Sequence, residues 1–439
     1  MNSAVHPPAR SASAVGLCVP DRVSDSVFAP ARLFGFGFLL ALVLVIAGCG
    51  DGSDVQYVTI WHQKTGGERA FFERVVDEYN ATHSDHQIRT LYRETEELRN
   101  LFVIAAAGGK GPDLVFGPSD NVSILALTET IAPITEIIPD EFISRFTSEG
   151  IVSWKEKKWM LADQVGNHLM FVYNKDILPS APQTLGEMVN MLDSVTVDLD
   201  GDGTIDRYGL TWNYTEPYFF IPFLTGFGGW MMDSEGNPTL DTPEMVAAVQ
   251  YLLDLRDKYH LIPGSTDYDT AEAMFKTGRA AAIINGPWSW SGYESAGINY
   301  GLARLPFNEK TGYWLSPIYS AKGYSININT PEEKYPIVRS VVEYLTGPSM
   351  QTRMADELAT IPVVESVLDS DAVRENQMLQ LSLSQVESGR PMPTQPQLRQ
   401  FWDGMRGPYQ LIMNGAVSAE EGARLMQAEV EKRIRDAFL

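Results

Sequence analysis

Residues 57–80 read YVTIWHQKTGGERAFFERVVDEYN, and this stretch indicates the fold class through one strand pattern and one helix pattern. Its first five residues are all β-branched or aromatic, which predicts a buried strand. A turn follows at Thr65-Gly66-Gly67. Beyond it, apolar residues recur at helical spacing: Phe71, Phe72, Val75, Val76 and Tyr79. The stretch therefore predicts a strand followed by a helix that covers a sheet.

The same alternation continues along the chain. A second helix is predicted through Leu98 and Ala105, and a strand at Asp113–Phe116 follows it. Strand, helix, helix, strand of this kind favours a parallel sheet with helical cover. The capping-box spacing of Thr184 and Glu187 predicts another helix start. Further elements are predicted at 271–275 (helix), 281–285 (strand), 331–346 (helix) and 418–438 (helix), so the fold class is α/β.

Composition excludes several classes of protein. The 439 residues are 44% hydrophobic, which is enough chain for two or three domains or lobes. Acidic residues outnumber basic ones by 56 to 34, and no basic stripe interrupts this excess, so we expect no nucleic-acid partner. The two cysteines, Cys18 and Cys49, both precede the predicted globular part. This position excludes a fold stapled by disulfides and a cysteine-ligated zinc site.

The N-terminal segment has the pattern of a lipoprotein leader. Residues 33–47 form one apolar run, LFGFGFLLALVLVIA, which is short for a membrane-spanning helix. The run ends in Ile46-Ala47-Gly48-Cys49, which resembles a bacterial lipobox, where cleavage precedes a cysteine that then carries lipid. We expect a signal peptide at 1–48, lipidation of Cys49 and a tether at 49–56. The alternative is an uncleaved anchor, and either form holds the protein on the outer side of a membrane.

The sequence carries no recognisable catalytic motif. It contains no GxSxG, HExxH, GxxxxGK[ST] or strand-linked GxGxxG pattern. His83 and His86 lie three residues apart in a polar stretch, and without further clustered ligands they are better interpreted as a surface loop than as a metal pair. We therefore expect a protein that is not an enzyme and has no organic cofactor.

An Asp-rich loop is the sharpest local motif. Carboxylates recur at positions 1, 3, 5 and 9 of a calcium-type loop, Gly203 stands at position 6, and a backbone carbonyl is offered at position 7. Gly209 stands where an EF-hand has its bidentate glutamate. The spacing predicts one structural calcium ion, and the alternative is a solvated Asp/Gly turn. The predicted ligands are Asp198, Asp200, Asp202, Thr204 and Asp206.

Tryptophan is the other conspicuous residue type. All nine tryptophans lie beyond residue 60, several beside small polar turns. Tryptophan usually fills a core, and composition alone favours that interpretation. Alternatively, such rings form stacking platforms for the apolar faces of sugars.

Seven stretches in order resemble one family. They are VTIWH (58–62), AAAGGKGPDLVF (105–116), FVYNKDILPSAPQT (171–184), TEPYFFIPF (215–223), MFKTGRAAAIINGPWSW (274–290), GINYGLARLP (297–306) and ESGRPMPTQPQLRQFWDGMR (387–406). Together they resemble the extracellular solute-binding proteins of sugar ABC transporters, in the branch that binds maltose and maltodextrin.

The resemblance implies a two-lobed periplasmic-binding-protein fold. Its lobes are discontinuous, are joined by hinge strands and close on a ligand in the cleft between them. The implied N-terminal lobe comprises 57–165 and 318–372. The implied C-terminal lobe comprises 166–317 and 373–439.

The resemblance also implies the residues of the cleft. By motif position, Trp288, Trp402 and Tyr218 correspond to stacking aromatics, and Asp120, Glu216 and Arg406 to polar partners. Met392 would line the cleft. Asn167 and Thr65 stand where the maltose-binding pattern has a glutamate and an aspartate. Gly117 stands where it has a further stacking tryptophan, and Asn121 replaces an arginine. The resemblance therefore implies a sugar ligand and leaves its identity open among trehalose-, maltose- and glucosylglycerol-like compounds.

The function implied is that of an extracytoplasmic lipoprotein that binds a di- or small oligosaccharide and delivers it to the permease subunits of an ABC transporter. We expect a monomer held to the membrane through Cys49. Two alternatives remain open at this point. One is a binding protein that serves a sensory receptor, and the other is a glycoside hydrolase that uses Glu216 and Asp120.

Overall fold

The computed structural model describes residues 55–438, apart from the side chains of Thr95 and Glu96. The predicted signal peptide, the lipobox and Cys49 lie outside the described residues. Within 55–438, no helix is both long and apolar enough to cross a membrane.

The described strands, in chain order, are β1 Gln56–His62, β2 His86–Tyr92, β3 Leu114–Pro118, β4 Ile131–Ala132, β5 Ile151–Trp154, β6 Lys157–Gly166, β7 Met170–Asn174, β8 Tyr208–Thr211, β9 Ala280–Asn285, β10 Tyr300–Ala303, β11 Phe307–Asn308, β12 Tyr313–Trp314, β13 Ile318–Asn327 and β14 Arg390–Pro391.

The described α-helices are α1 Gly66–Thr82, α2 Thr95–Ala107, α3 Val122–Leu127, α4 Asp140–Ile143, α5 Leu185–Asp193, α6 Ile221–Gly226, α7 Pro243–Leu253, α8 Tyr268–Lys276, α9 Trp290–Ser295, α10 Tyr335–Thr346, α11 Pro348–Leu358, α12 Glu365–Leu368, α13 Asp371–Glu375, α14 Gln377–Glu387, α15 Leu398–Met413 and α16 Ala419–Phe438.

The opening stretch folds as its pattern predicts. Val58 and Ile60 of β1 are fully buried, and the predicted apolar face of α1 packs into the same core. Asp113 fixes the neighbouring strand, because its carboxylate accepts hydrogen bonds from the Thr59 amide (2.7 Å) and the Thr59 hydroxyl (2.9 Å). Lys334, just before α10, donates to the same carboxylate at 3.0 Å.

The first sheet is mixed rather than wholly parallel, which corrects the sequence-based prediction. Its main strand order is β2-β1-β3-β13-β6-β5, with β4 and β14 also paired to β13. β1 is parallel to β2 and β3, but β13 is antiparallel to β3 and to β6. The difference arises because β13, which lies far along the chain from β3 and β6, pairs between them in the opposite direction. Strand β2 was also missed, and His86 begins it rather than lying in a loop.

The second sheet has the order β10-β7-β9-β8. Only β8 and β9 pair in parallel; the other two pairings are antiparallel. A variant of the predicted capping box begins helix α5. The Thr184 hydroxyl oxygen accepts from the Glu187 amide at 3.1 Å, and the Glu187 side chain accepts from the amide of Gln183, the residue before the N-cap, at 2.8 Å. The other predicted elements are found within a few residues of their expected bounds.

Each sheet has its own hydrophobic core, and the chain passes between the cores more than once. Val165 packs in the first core and Leu169 in the second. β13 passes back, with Ile318 in the second core and Tyr324 in the first. Met392, after α14, returns to the second core. This arrangement gives two lobes joined by extended segments.

The exact lobe bounds remain a prediction. Around residue 373 the packing is shared: Val373 and Leu379 pack in the first core, while Leu381 of the same helix α14 packs against the second sheet. Helix α14 also binds the second lobe directly, because the Leu305 amide donates to the Gln385 side chain at 2.7 Å.

Candidate functional site

One cavity of about 340 Å³ gathers every residue that the resemblance assigned to the cleft. Its lining includes all nine predicted ligand-binding residues: Thr65, Asp120, Asn167, Glu216, Tyr218, Trp288, Met392, Trp402 and Arg406. These residues come from positions as far apart as 65 and 406. Their role in binding stays a prediction, but their convergence on one cavity is a fact of the fold.

Short turns at the ends of strands position three of these side chains. Asp120 lies in a 3-10 turn directly after β3, Trp288 lies in one directly after β9, and Glu216 immediately precedes one after β8. Ligands of α/β sheets collect at the carboxyl ends of strands, and the site follows that rule.

Aromatic rings dominate the second-lobe wall of the cavity. The Trp288 ring lies against Gly286, where an added Cβ would come within 2.1 Å of the indole. Its indole N–H donates to the Tyr268 hydroxyl at 3.0 Å, which fixes the ring plane. Tyr218 and Trp402 meet edge to face, with ring centroids 6.2 Å apart. Such a wall offers flat apolar surface together with polar edges.

The Tyr218 hydroxyl contacts the segments between the lobes. It donates to the backbone carbonyl of Asn167 and lies 3.3 Å from that of Ile318, so it touches two of the segments that join the lobes. Burial, with a contribution from Asp120, raises the pKa of Tyr218, and the group therefore stays a neutral hydrogen-bond donor. Asn167 itself has φ of +51°, a left-handed conformation that asparagine tolerates better than most residues.

A guanidinium–carboxylate clamp forms the polar edge of this wall. Arg406 donates to both carboxylate oxygens of Glu216, at 3.0 and 2.9 Å, and to Asp403 at 3.0 Å. The bidentate geometry is the strong form of such a pair. The hydrogen bond to Glu216 raises the pKa of Arg406.

The first-lobe wall carries charged side chains that sequence reasoning missed. Lys64 and Asp163 form a buried ion pair at 2.9 Å, with side chains only 4% and 2% exposed. Lys322 lies 3.5 Å from Glu68. Burial acts to raise the pKa of Glu68, but Lys322 and Lys64 outweigh it and hold that pKa below its ordinary value. The glutamate is therefore charged at neutral pH.

Several other lining residues were also missed. With Lys64, Glu68 and Lys322 from the first-lobe wall, the missed lining residues are Gln63, Phe116, Pro118, Phe219 and Arg399. The sequence pattern could have identified Lys322 as a candidate. It is the single charged residue in IYSAKGYSIN, a run that otherwise has the pattern of a buried strand.

The Asp-rich loop is formed, with a smaller set of carboxylates than predicted. Oxygens of Asp198, Asp200 and Asp206 lie within 4.8 Å of one another, and all three residues are exposed. Asp198 accepts backbone hydrogen bonds from Gly203 (2.8 Å) and Gly201 (2.7 Å), which lower the pKa of its carboxyl. The carboxylate of Asp202 lies outside this group and accepts from the Thr204 amide. Calcium binding by this loop remains a prediction.

Comparison with known proteins places the chain among extracellular solute-binding proteins. A sequence model of the family described as bacterial extracellular solute-binding protein matches residues 74–380. The maltose/maltodextrin-binding domain MalE of Bdellovibrio bacteriovorus, solved with maltotriose bound, is 38% identical, with a TM-score of 0.82. That match covers 87% of this chain and all of the other.

Two further relatives match most of the chain. A maltotriose-binding protein of Pyrococcus abyssi (strain GE5 / Orsay) is 27% identical over 88% of this chain and 83% of its own length. A maltooligosaccharide ABC transporter solute-binding lipoprotein of Streptococcus pneumoniae serotype 4 (strain ATCC BAA-334 / TIGR4) is 22% identical over 95% of this chain and 99% of its own length. Both relatives are named as binding proteins, and the pneumococcal one as the solute-binding lipoprotein of an ABC transporter.

The two lobes with their shared cavity agree with the two-lobed fold that the resemblance implied. The chain belongs to the bacterial extracellular solute-binding proteins, among the members that resemble maltose- and maltodextrin-binding proteins.

Proposed function

We propose that this protein binds a short malto-oligosaccharide, of two or three glucose units, and delivers it to the permease of an ABC transporter. The observation that carries the proposal is the convergence of Tyr218, Trp288 and Trp402 with paired charges on one cavity of about 340 Å³. Stacking rings recognise the apolar faces of a sugar, and charged hydrogen-bonding groups recognise its hydroxyls.

The pairing of charges in the cavity favours an uncharged ligand. Lys64 is matched by Asp163, Lys322 by Glu68, and Arg406 by Glu216. A cavity for a phosphorylated sugar would instead present cations in excess, since a phosphate needs positive partners of its own. Paired charges retain hydrogen-bonding capacity for neutral hydroxyl groups.

Two observations support a ligand of two or three glucose units. The Bdellovibrio domain was solved with maltotriose, and the Pyrococcus relative is named for the same sugar. Gly117 is buried, and it stands where the maltose-binding pattern has a stacking tryptophan, so one platform is absent at that position. Fewer platforms favour a shorter chain over a long maltodextrin.

We also propose that the protein is a lipoprotein anchored through Cys49. The Ile46-Ala47-Gly48-Cys49 sequence supports this, as does the lipoprotein named among its pneumococcal relatives. Mass spectrometry of the protein from membranes should find a diacylglyceryl group on an N-terminal Cys49. An intact residue 1 together with an unmodified Cys49 would contradict the anchor without affecting the sugar site.

The hydrolase alternative is disfavoured by the state of Glu216. A general acid must hold a proton that it can give to the leaving oxygen. Both oxygens of Glu216 instead act as hydrogen-bond acceptors for Arg406, so the side chain is engaged by the protein rather than directed at a leaving oxygen. Incubation with maltotriose should therefore release no glucose. The sensory alternative shares the same binding site and differs only in the membrane partner.

A thermal-shift screen of protein that begins at Gly50 tests the proposal. The residues of both hydrophobic cores lie between Val58 and Val430, so this protein keeps them all. A ligand at one hundred times its Kd stabilises the folded state by about 2.7 kcal/mol, which shifts the melting temperature by a few degrees. We expect shifts with maltose or maltotriose and none with glucose. No shift with any malto-oligosaccharide would overturn the proposed ligand.

A further inference from the structure

Lys322 is a half-buried cation on a strand that joins the two lobes. It lies in β13 between Ala321 and Gly323, and its side chain is only 13% exposed. A lysine on such a strand is costly unless its charge is matched and its hydrogen-bond donors find acceptors.

A β-bulge aims this side chain. Lys322 pairs with Gln164 on β6, but the next residue, Gly323, pairs with Ala162, so Asp163 is an extra residue without a partner in the register. A bulge re-aims the side chains beside it. Gly323 is required here, because an added Cβ would lie 2.3 Å from the Leu161 carbonyl oxygen. The bulge thereby turns Asp163 toward Lys64 and Lys322 toward the cavity.

The Lys322 ammonium has donor capacity beyond its protein contacts. An ammonium carries three N–H donors. Its hydrogen bond to Glu68 is long, at 3.5 Å, and Glu68 uses the same oxygen to accept from Gln164 at 3.3 Å. The Nζ atom also lies 5.9 Å from the Trp288 ring centroid, near the outer limit for a cation–π contact. Since Lys322 lines the cavity, these donors are directed to the space beside the platform.

We propose that Lys322 is a specificity-determining residue that donates a hydrogen bond to a hydroxyl of the sugar ring stacked on Trp288, with Glu68 as its positioning residue. This inference rests on the proposed function and adds one named contact to it. The contact would join the two walls, because Lys322 belongs to the first-lobe wall and its Nζ atom lies 5.9 Å from the Trp288 ring centroid of the second-lobe wall.

The contact makes the site selective for one hydroxyl. A site built to hydrogen-bond a hydroxyl rejects the analogue that lacks it, because its buried donor is then left unpaired. Replacing Lys322 should therefore reduce the affinity for the sugar and, at the same time, remove the discrimination against one deoxy analogue.

The test is titration calorimetry with maltotriose and with its monodeoxy analogues on the purified protein. Lys322→Met keeps the length of the side chain and removes the donors. We expect it to weaken maltotriose binding roughly tenfold to a hundredfold and to bind one deoxy analogue as well as maltotriose. Lys310→Met, at an exposed lysine outside the cavity lining, is the matched control and should bind like the wild type.

The possible outcomes separate this inference from the proposed function. If the wild type binds no malto-oligosaccharide, the proposed function fails. If the wild type binds and Lys322→Met binds equally well with the same ranking of deoxy analogues, the role of Lys322 is overturned. If Lys322→Met does not fold, Glu68→Gln carries the test, because it leaves Lys322 in place but removes the carboxylate that positions its ammonium group. An unchanged deoxy ranking in Glu68→Gln would then overturn the inference.

Discussion

The two walls of the cavity are built on different physical principles. The second-lobe wall presents aromatic rings and an Arg406–Glu216 clamp that is partly open to solvent, with side chains 30% and 40% exposed. The first-lobe wall presents Lys64, whose charge is matched by Asp163 outside the cavity lining, and both side chains are almost completely buried. One wall therefore supplies surface for stacking, and the other supplies charges that neighbouring side chains must hold in place.

The largest effect is expected from breaking the buried pair of the first-lobe wall. Burial raises the pKa of Asp163, and Lys64 opposes that effect. Lys64→Met leaves the buried carboxyl group of Asp163 without its partner, which should lower the free energy of unfolding by about 3–5 kcal/mol. Urea denaturation measures this loss. The double variant Lys64→Met with Asp163→Leu should recover much of the stability. An equal loss in both variants would show that the pair acts through packing and not through charge.

The second effect concerns His168, which lies where the chain passes from one lobe to the other. It is 1% exposed, and neither ring nitrogen has a hydrogen-bond partner among the described residues. Burial lowers the pKa of His168 to about 3, so protonation favours the unfolded state. Its contribution is fully present above about pH 6.5 and is lost as the pH falls toward 3.

We therefore expect His168→Leu to reduce the acid sensitivity of the protein. At pH 4 the variant should retain about 2–3 kcal/mol of stability that the wild type loses. Denaturation curves at pH 4 and pH 7.5 measure the difference. Parallel losses in wild type and variant would mean that other groups, such as His62, govern acid unfolding.

The third effect tests the aromatic wall. Trp288→Ala removes a half-buried ring and should weaken binding of maltotriose by about 1–3 kcal/mol. It should also lower stability, because the ring packs against the second core. Calorimetry measures the affinity. Trp314→Ala serves as the control, because that ring packs on Phe307 away from the cavity lining. Equal affinity in the Trp288 variant would remove this ring from the binding site.

The smallest effect on stability is expected from the Asp-rich loop, whose carboxylates lie outside the cavity lining. If the Asp-rich loop binds calcium, the ion should raise stability by about 1 kcal/mol at concentrations several times its Kd. Asp200→Asn should abolish this gain. Asp202→Asn is the control, since its carboxylate lies outside the three-carboxylate group. A gain that survives Asp200→Asn, or is absent in the wild type, would leave the loop as a solvated turn.

The two walls also differ in how far they could be predicted. The aromatic wall was predictable because Trp288, Trp402 and Tyr218 lie within short motifs that carry the family resemblance. The charged wall was not predictable, because Lys322 reaches the cavity beside the bulge opposite Gly323, and a bulge is a property of strand register. Local patterns identify strands but leave their register open.

The fold shows the same division between local and distant order. The strand and helix of residues 57–80 and the capping box at Thr184 were predicted, since both depend on neighbouring residues. The mixed direction of the first sheet was missed, because β13 is inserted between β3 and β6 from about 150 residues away in the chain. Pairings that span this distance leave no periodic signal in the sequence.

We propose that this cavity binds a neutral malto-oligosaccharide between an aromatic wall and a charged wall. Titration calorimetry of wild-type protein with maltotriose, and with glucose 6-phosphate as the charged competitor, distinguishes a neutral from a charged ligand. We expect saturable one-to-one binding of maltotriose that glucose 6-phosphate does not displace. Binding of the phosphorylated sugar in preference to maltotriose would contradict it, because the cations of the cavity would then not be matched by their carboxylates.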